Sequence, residues 1–222
     1  MFMSVTERLN HIRLKIPADV RLVAVSKTKP VSDIMEAYQA GQRVFGENKA
    51  QDLIAKQPEL PEDIEWHFIG HLQTNKVKYL TPFVGMIESV DSLKLLKEID
   101  KQSAKNGRVV NCLLQFHIAS EQSKFGLDLE EASQILESEE YTKMKHIRLC
   151  GVMGMATFTD DKEILKREFI MLRDLYNSLK NNYFPENKSF REISMGMSGD
   201  YLLAIEEGST NVRVGTAIFG TR

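Results

Sequence analysis

The stretch Arg21-Leu22-Val23-Ala24-Val25-Ser26, a short apolar run of strand type, leads through Lys27-Thr28-Lys29-Pro30 into Ser32-Asp33-Ile34-Met35-Glu36-Ala37-Tyr38, a capped helix closed by Gly41. A strand followed at once by a helix with its own start and stop signals is the building unit of α/β folds. The unit recurs. Val44-Phe45-Gly46-Glu47 reads as a second strand, with Asn48 able to cap a helix through Leu53 and Ile54. Glu65 to Ile69 precedes a helix containing Val77 and Leu80, and Met86 to Val90 precedes Asp91 and a helix carrying Leu93 and Leu96. Val109 to Phe116 is the longest strand, and Asp128 caps the helix after it. Ile147 to Met153 leads to the clearest helix, with Leu165, Phe169, Leu172, Tyr176 and Leu179 on one stripe. Phe190 to Ser194 precedes a short helix from Ser198 that stops at Gly208, and Asn211-Val212-Arg213-Val214 is the eighth strand. One helix stands ahead of the series: Ser4 caps it, and Val5, Leu9, Ile12 and Ile16 make its apolar stripe.

Eight units in 222 residues leave about 28 residues each, close to the ~250 residues of a compact eight-fold barrel. Strands made of continuous apolar residues suit a parallel sheet covered on both faces. A doubly wound open sheet is the alternative, but it usually has fewer strands and often a Gly-rich first turn, and no GxGxxG occurs here. The sequence therefore predicts an α/β fold, a single (β/α)8 TIM-type barrel with an extra N-terminal helix, formed by residues 1–222 as one domain.

Composition narrows the function classes. The 29 Lys and Arg are balanced by 31 Asp and Glu, which leaves no basic field to displace counterions from nucleic acid and no pull toward an acidic membrane surface. Cys112 and Cys150 both lie inside apolar runs and form no CxxC pair, which excludes a zinc ribbon and points to two buried thiols in a reducing compartment. Met1 to Glu7 lacks a basic stretch followed by an apolar core, and no apolar run approaches the ~20 residues needed to span a bilayer. A cytoplasmic location is the expectation.

In such a barrel the chemistry belongs at the C-terminal ends of the strands. Lys27 stands at the first of these ends, in phase with Val23 and Val25, so it leans over the barrel mouth if the valines point inward. Partial burial there, beside a second cation at Lys29, favours the neutral amine that attacks carbonyls. On spacing alone, a lysine snorkelling from a strand end to solvent is the commoner case. Ser194-Met195-Gly196-Met197-Ser198-Gly199-Asp200 and Gly215-Thr216 make two small-residue turns after the seventh and eighth strands, the usual phosphate position of phosphate-binding barrels. Glycines that merely make short turns explain either loop alone; both loops together, opposite a strand-end lysine, fit a carbonyl-bearing phosphate cofactor. His67 and His71 run from a strand into a loop, so their spacing does not put both on one face, and no third ligand stands near them in sequence; no metal is expected. The pairs Glu130-Glu131, Glu139-Glu140 and Glu206-Glu207 read as solvated helix faces.

Five motifs in order, Ala24-Val25-Ser26-Lys27-Thr28-Lys29-Pro30, Phe45-Gly46-Glu47-Asn48, Trp66-His67-Phe68-Ile69-Gly70-His71-Leu72-Gln73, Ser194-Met195-Gly196-Met197-Ser198 and Val212-Arg213-Val214-Gly215-Thr216-Ala217-Ile218-Phe219-Gly220, resemble the pyridoxal phosphate homeostasis protein family from about Arg21 to Gly220. The resemblance implies a barrel of the alanine racemase type with pyridoxal 5′-phosphate (PLP) at its mouth. In that likeness Lys27 matches the lysine that forms the Schiff base. Ser198, Gly215 and Thr216 match the phosphate cradle, with Ser194, Met197 and Gly199 close by, and Asn48 matches a polar residue beside the cofactor. Arg213 matches the arginine facing the pyridine nitrogen; a guanidinium stays protonated and would keep that nitrogen unprotonated, a weaker electron sink. Asn48-Lys49 stands where Asn-Tyr is frequent, and Phe116-His117-Ile118 where Ile-Asn is frequent.

Three functions compete on these residues. The first is an intracellular carrier or buffer of PLP, without robust catalysis, that serves apo PLP-dependent enzymes as transient recipients. The second is an amino-acid racemase, whose chemistry in this fold needs a second acid/base from an additional β domain, whereas the barrel uses every residue here. The third is a phosphate-metabolite barrel in which Lys27 acts as a sugar aldolase does, and the strand ends carry no convincing proton relay for it. The carrier is the expected function, and a monomer the expected state, since no element looks dedicated to an interface.

Overall fold

In the computed structural model eight strands close on themselves in chain order, every neighbouring pair parallel. They are β1 (Arg21–Val25), β2 (Val44–Glu47), β3 (Glu65–Phe68), β4 (Met86–Val90), β5 (Val110–Phe116), β6 (Ile147–Gly154), β7 (Glu192–Ser194) and β8 (Asn211–Val214). Around them run α1 (Val5–Arg13), α2 (Val31–Gln39), α3 (Ala50–Lys56), α4 (Thr74–Leu80), α5 (Leu93–Lys105), α6 (Leu129–Glu137), α7 (Glu139–Thr142), α8 (Lys162–Tyr183), α9 (Tyr201–Glu206) and α10 (Thr216–Phe219). This is the predicted (β/α)8 barrel, with α1 as the extra N-terminal helix. The structure describes residues 3–120 and 125–221; Met1, Phe2 and Arg222, at the ends of the expected 1–222 domain, lie outside them. Among the described residues no helix is long and apolar enough to cross a membrane.

Strand registers sort the side chains into two sets, because neighbours paired across parallel strands point to the same face. Ala24 pairs with Phe45 and Phe45 with Trp66, and this set faces the helices. There the stripe of α8 buries Leu165, Phe169, Leu172 and Leu179, while Tyr176 stacks on Phe190 with ring centroids 5.4 Å apart. Fully burying such side chains is worth roughly 1.5–3 kcal/mol each. The alternate set faces the lumen: Val25 pairs with Gly46, Gly46 with His67, His67 with Met86, and Val23 with Arg213. A Cβ on Gly46 would stand 3.0 Å from Val23 Cγ1, so both valines do point inward, as the phase of Lys27 requires.

The helix starts are partly those read from the sequence. Ser4 and Glu7 exchange hydrogen bonds in a capping box, and Asp128 and Glu131 do the same at α6. Two caps differ. Pro30, not Ser32, precedes α2, and Lys49, not Asn48, precedes α3; neither helix has a side-chain cap. The helix expected from Ser198 begins at Tyr201, because Met197 to Asp200 closes a turn in which Tyr201 N–H donates to Met197 O at 2.9 Å. Glu207 is buried rather than solvated; Arg173 Nη1 holds it at 3.1 Å.

Candidate functional site

The C-terminal end of β1 is fixed from behind. Ser26 is buried; its hydroxyl donates to Glu47 Oε1 at 2.7 Å, and its carbonyl accepts from Lys56 Nζ at 3.0 Å. Lys56 and Glu47 close the staple at 2.6 Å. Lys27 follows directly, and Thr28 after it takes a φ of 66°, a left-handed conformation unusual for a β-branched residue. Lys29 Nζ donates to Thr221 O at 3.0 Å. Lys27 itself is exposed and has no side-chain partner among the described residues. The partial burial anticipated for it is therefore absent, but its amine is unencumbered.

The turns after β7 and β8 are tied to each other. Ser198 Oγ accepts the backbone N–H of Gly215 at 3.1 Å and that of Ala217 at 3.4 Å. With both acceptor sites occupied, the Ser198 proton points to neither partner and is left to donate outward. Among the described residues, the backbone N–H groups of Ser198, Gly199 and Thr216 have no protein acceptor. A Cβ on Gly215 would come within 3.1 Å of Val25 O, so this glycine brings the eighth loop against the end of the strand that carries Lys27. Gly196 has a φ of 93°, and a Cβ there would meet Ala204 Cβ at 2.6 Å, which fixes the start of the seventh loop. Met197 is half-buried, with its N–H donating to Asp200; burial pushes the Asp200 carboxyl up against the opposing pull of that N–H and of Arg213. Gly199 is exposed, with open space where a Cβ would be.

At the end of β2, Asn48 Oδ1 is buried with no hydrogen-bond partner, the counterpart of its missing role as a helix cap. A Cβ on Gly70 would stand 2.2 Å from Asn48 O, so only glycine lets the third loop pack this closely against Asn48. Free N–H groups, a donating hydroxyl and an unpaired amine suit an anionic, carbonyl-bearing ligand, and the unsatisfied Asn48 acceptor calls for a donor on the same ligand; PLP, with a phosphate, an aldehyde and a ring hydroxyl, offers all three.

Two of the predicted residues lie beneath the mouth rather than on it. Arg213 is buried in the lumen; its Nη1 donates to Ser194 Oγ at 2.6 Å and its Nη2 to Gly154 O at 2.8 Å. Ser194, fully buried, passes its own proton to Glu88 Oε2 at 2.6 Å, and that oxygen stands 3.8 Å from Arg213 Nη1. Burial pulls the guanidinium below its ordinary range, against the charges of Glu88 and Asp200. Glu88 is absent from the sequence-derived candidates, and His67, weighed there only as a metal ligand, is its partner; a glutamate in the middle of the apolar strand Met86 to Val90 was the available signal, since a buried charge needs a partner. His67 and His71 part company as expected: His67 faces the lumen, while His71 is exposed on the rim, 3.2 Å from Asp91 Oδ2 and tilted against Phe125 with ring centroids 4.3 Å apart. Cys112 and Cys150 are free and buried, and burial pushes both thiols up.

Residues 3–222 match the model of the family described as alanine racemase, N-terminal domain. Among curated relatives, a pyridoxal phosphate homeostasis protein of Aquifex aeolicus is 39% identical over 204 residues, covering 91% of this chain and 87% of its own. The protein of that name in Homo sapiens is 38% identical over 235 residues, covering 99% and 84%. Among solved structures, PipY of Synechococcus elongatus PCC7942 with PLP bound is 35% identical, with a TM-score of 0.87 over 98% of this chain and 100% of that one.

Proposed function

The chain belongs to the alanine racemase N-terminal domain family and, within it, to the pyridoxal phosphate homeostasis proteins, and from that premise we propose that it binds PLP through a Schiff base at Lys27 and keeps it available as an intracellular carrier or buffer. The observation that carries this reading is the junction of the seventh and eighth loops through Ser198, with open N–H groups, beside the strand end that presents an unpaired Lys27.

When bound, PLP supplies an aldehyde carbon and a phosphate dianion. The Lys27 amine adds to the aldehyde and one water leaves, so the link is reversible by hydrolysis. Ser198, Gly199 and Thr216 hold the phosphate, with Gly215 joining the two loops beside it and Met197 shaping the turn. Asn48 orients the ring edge. Arg213, held by Ser194, faces the pyridine nitrogen and keeps it unprotonated. Residues 1–222 then act as one PLP-binding barrel domain, monomeric and cytoplasmic, with apo PLP-dependent enzymes as transient recipients. The exposure of Lys27, Gly199 and Thr216 leaves the mouth open to water, which suits exchange of the cofactor better than control of a carbanion.

The first test is an absorption spectrum of the purified protein before and after borohydride, with peptide mapping of the reduced lysine. A visible band that disappears on reduction, with the label at Lys27, supports the reading. Label at Lys29 or Lys76 overturns the assignment of the lysine, and a colourless protein that takes up no label after incubation with PLP overturns the function. The family description favours one second reading, a weak amino-acid racemase. Chiral analysis of L-alanine after prolonged incubation with the loaded protein separates the two, the carrier leaving the L isomer intact.

A further inference from the structure

The Arg213–Ser194–Glu88 contacts are one end of a longer chain through the barrel. Glu88 Oε1 lies 2.6 Å from His67 Nδ1; His67 Nε2 lies 3.2 Å from Glu65 Oε1; and Glu65 Oε1 lies 3.7 Å from Arg21 Nη1 at the opposite end of the lumen. His67 and Glu88 are both fully buried. Another part of the same lumen is filled by an apolar cluster of Met86, Leu113, Cys150 and Met153, so apolar packing is available to part of this space. Buried ion pairs bring little net stability over well-packed apolar side chains. The polar chain nevertheless occupies the side that ends at Arg213, beneath the two small-residue loops.

Resting on the PLP reading above, we propose that Glu88, backed by His67, is a positioning residue for the cofactor ring: it fixes the Arg213 guanidinium through Ser194 and offsets its charge at the floor of the mouth. The two groups behind Arg213 act in opposite senses. Glu88 opposes the guanidinium's field, and His67 opposes Glu88. Burial pulls the His67 imidazole down, but hydrogen bonds to Glu65 and Glu88 and their charges overcome it and hold it at about 9, so it is cationic at neutral pH. Glu88 is held below the usual carboxylate range: burial raises it, and His67, Arg213 and the Ser194 hydroxyl outweigh that. The other charges within reach are Glu65 on β3, Arg21 on β1 and Asp200 in the seventh loop; the β5 and β6 side carries Leu113, Gln115 and Met153, which do not titrate, and Cys150, whose thiol burial pushes up to about 11. Lys27 and Lys29 are the mouth's own cations.

The experiment is a pH titration of the visible absorbance of PLP-loaded protein, for the wild type, Glu88→Gln and His67→Gln, with PLP affinity measured alongside. Glu88→Gln leaves the Arg213 cation unopposed, which disfavours the protonated Schiff base and lowers its midpoint by about one pH unit, tenfold in the protonation equilibrium. His67→Gln frees Glu88 to offset Arg213 more strongly and raises the midpoint. Opposite shifts support the proposal, because a merely structural network loosens the site in one sense whichever member is removed. Unchanged midpoints in loaded variants, or shifts of the same sign, overturn it while leaving the PLP reading intact. A wild type that takes up no PLP overturns the reading and this inference with it. If either glutamine variant does not fold, Glu88→Asp replaces it: withdrawing the carboxylate by one methylene lowers the midpoint if the proposal holds, and an unchanged midpoint overturns it.

Discussion

The same eight strands build two interiors of opposite character. Outward-facing residues such as Phe45, Trp66, Phe68, Leu114 and Val152 meet the helices in an apolar shell, while inward-facing positions one residue away carry Glu65, His67, Glu88, Ser194, Asn211 and Arg213. The shell holds the barrel closed mostly by area removed from water, which depends on size and shape, and a charge buried on that side, Glu47, is paired with Lys56 at 2.6 Å. The lumen is held by directed contacts, whose removal strands a partner. On the proposed reading PLP is held at the mouth above the lumen, so substitutions at the mouth and in the shell should separate binding from stability.

The largest separation is at the mouth. Lys27→Ala should abolish borohydride-fixed PLP while leaving the melting temperature of the cofactor-free protein unchanged, because the side chain is exposed and has no partner among the described residues; thermal melts and mass spectrometry of the reduced protein read both. The converse is Phe169→Ala in the shell, where the ring is fully buried. It should cost roughly 3–5 kcal/mol in denaturant unfolding with PLP affinity of the folded protein retained. A shell variant that lost affinity in proportion to stability would break the division.

The lumen should announce itself through pH. His67 is raised from 6.5 to about 9 in the folded state, so its contribution is complete below 6.5 and is lost as pH rises through 9. Each tenfold difference in proton affinity between the folded and unfolded chain is worth ~1.4 kcal/mol, so unfolding free energy should fall by about 3 kcal/mol across that window. Denaturant melts of His67→Gln over the same pH range should lack the slope. Glu88, held low, contributes in the other direction, its share disappearing in acid.

Thr216→Val tests the cradle more finely. Loss of one hydrogen bond to a charged phosphate should weaken PLP binding by roughly 1.5–3 kcal/mol with stability unchanged, as equilibrium fluorescence would measure. Smallest is Asp128→Ala at the capping box of α6, about 1 kcal/mol of stability and no effect on PLP.

Strand–helix alternation and the apolar runs pointed to a parallel sheet covered by helices, and eight repeats in 222 residues favoured its closed form. The stripe of α8 and the caps at Ser4 and Asp128 were equally legible, because helical spacing and capping act over three or four residues. Lys27, Ser198 and Gly215-Thr216 stood out as strand-end chemistry for the same local reason. What the sequence could not assign was how partners meet across the lumen. Ser194 and Glu88 lie 106 positions apart, and His67 and Glu88 lie 21 apart, yet each pair is joined at 2.6 Å. Those contacts exist only because barrel closure and strand register bring alternate residues of β3, β4, β7 and β8 into one cross-section. Asn48, read as a cap and found as an unpaired acceptor, is the same lesson in one residue: local pattern proposes a partner, and the tertiary position of the chain decides whether the partner is there.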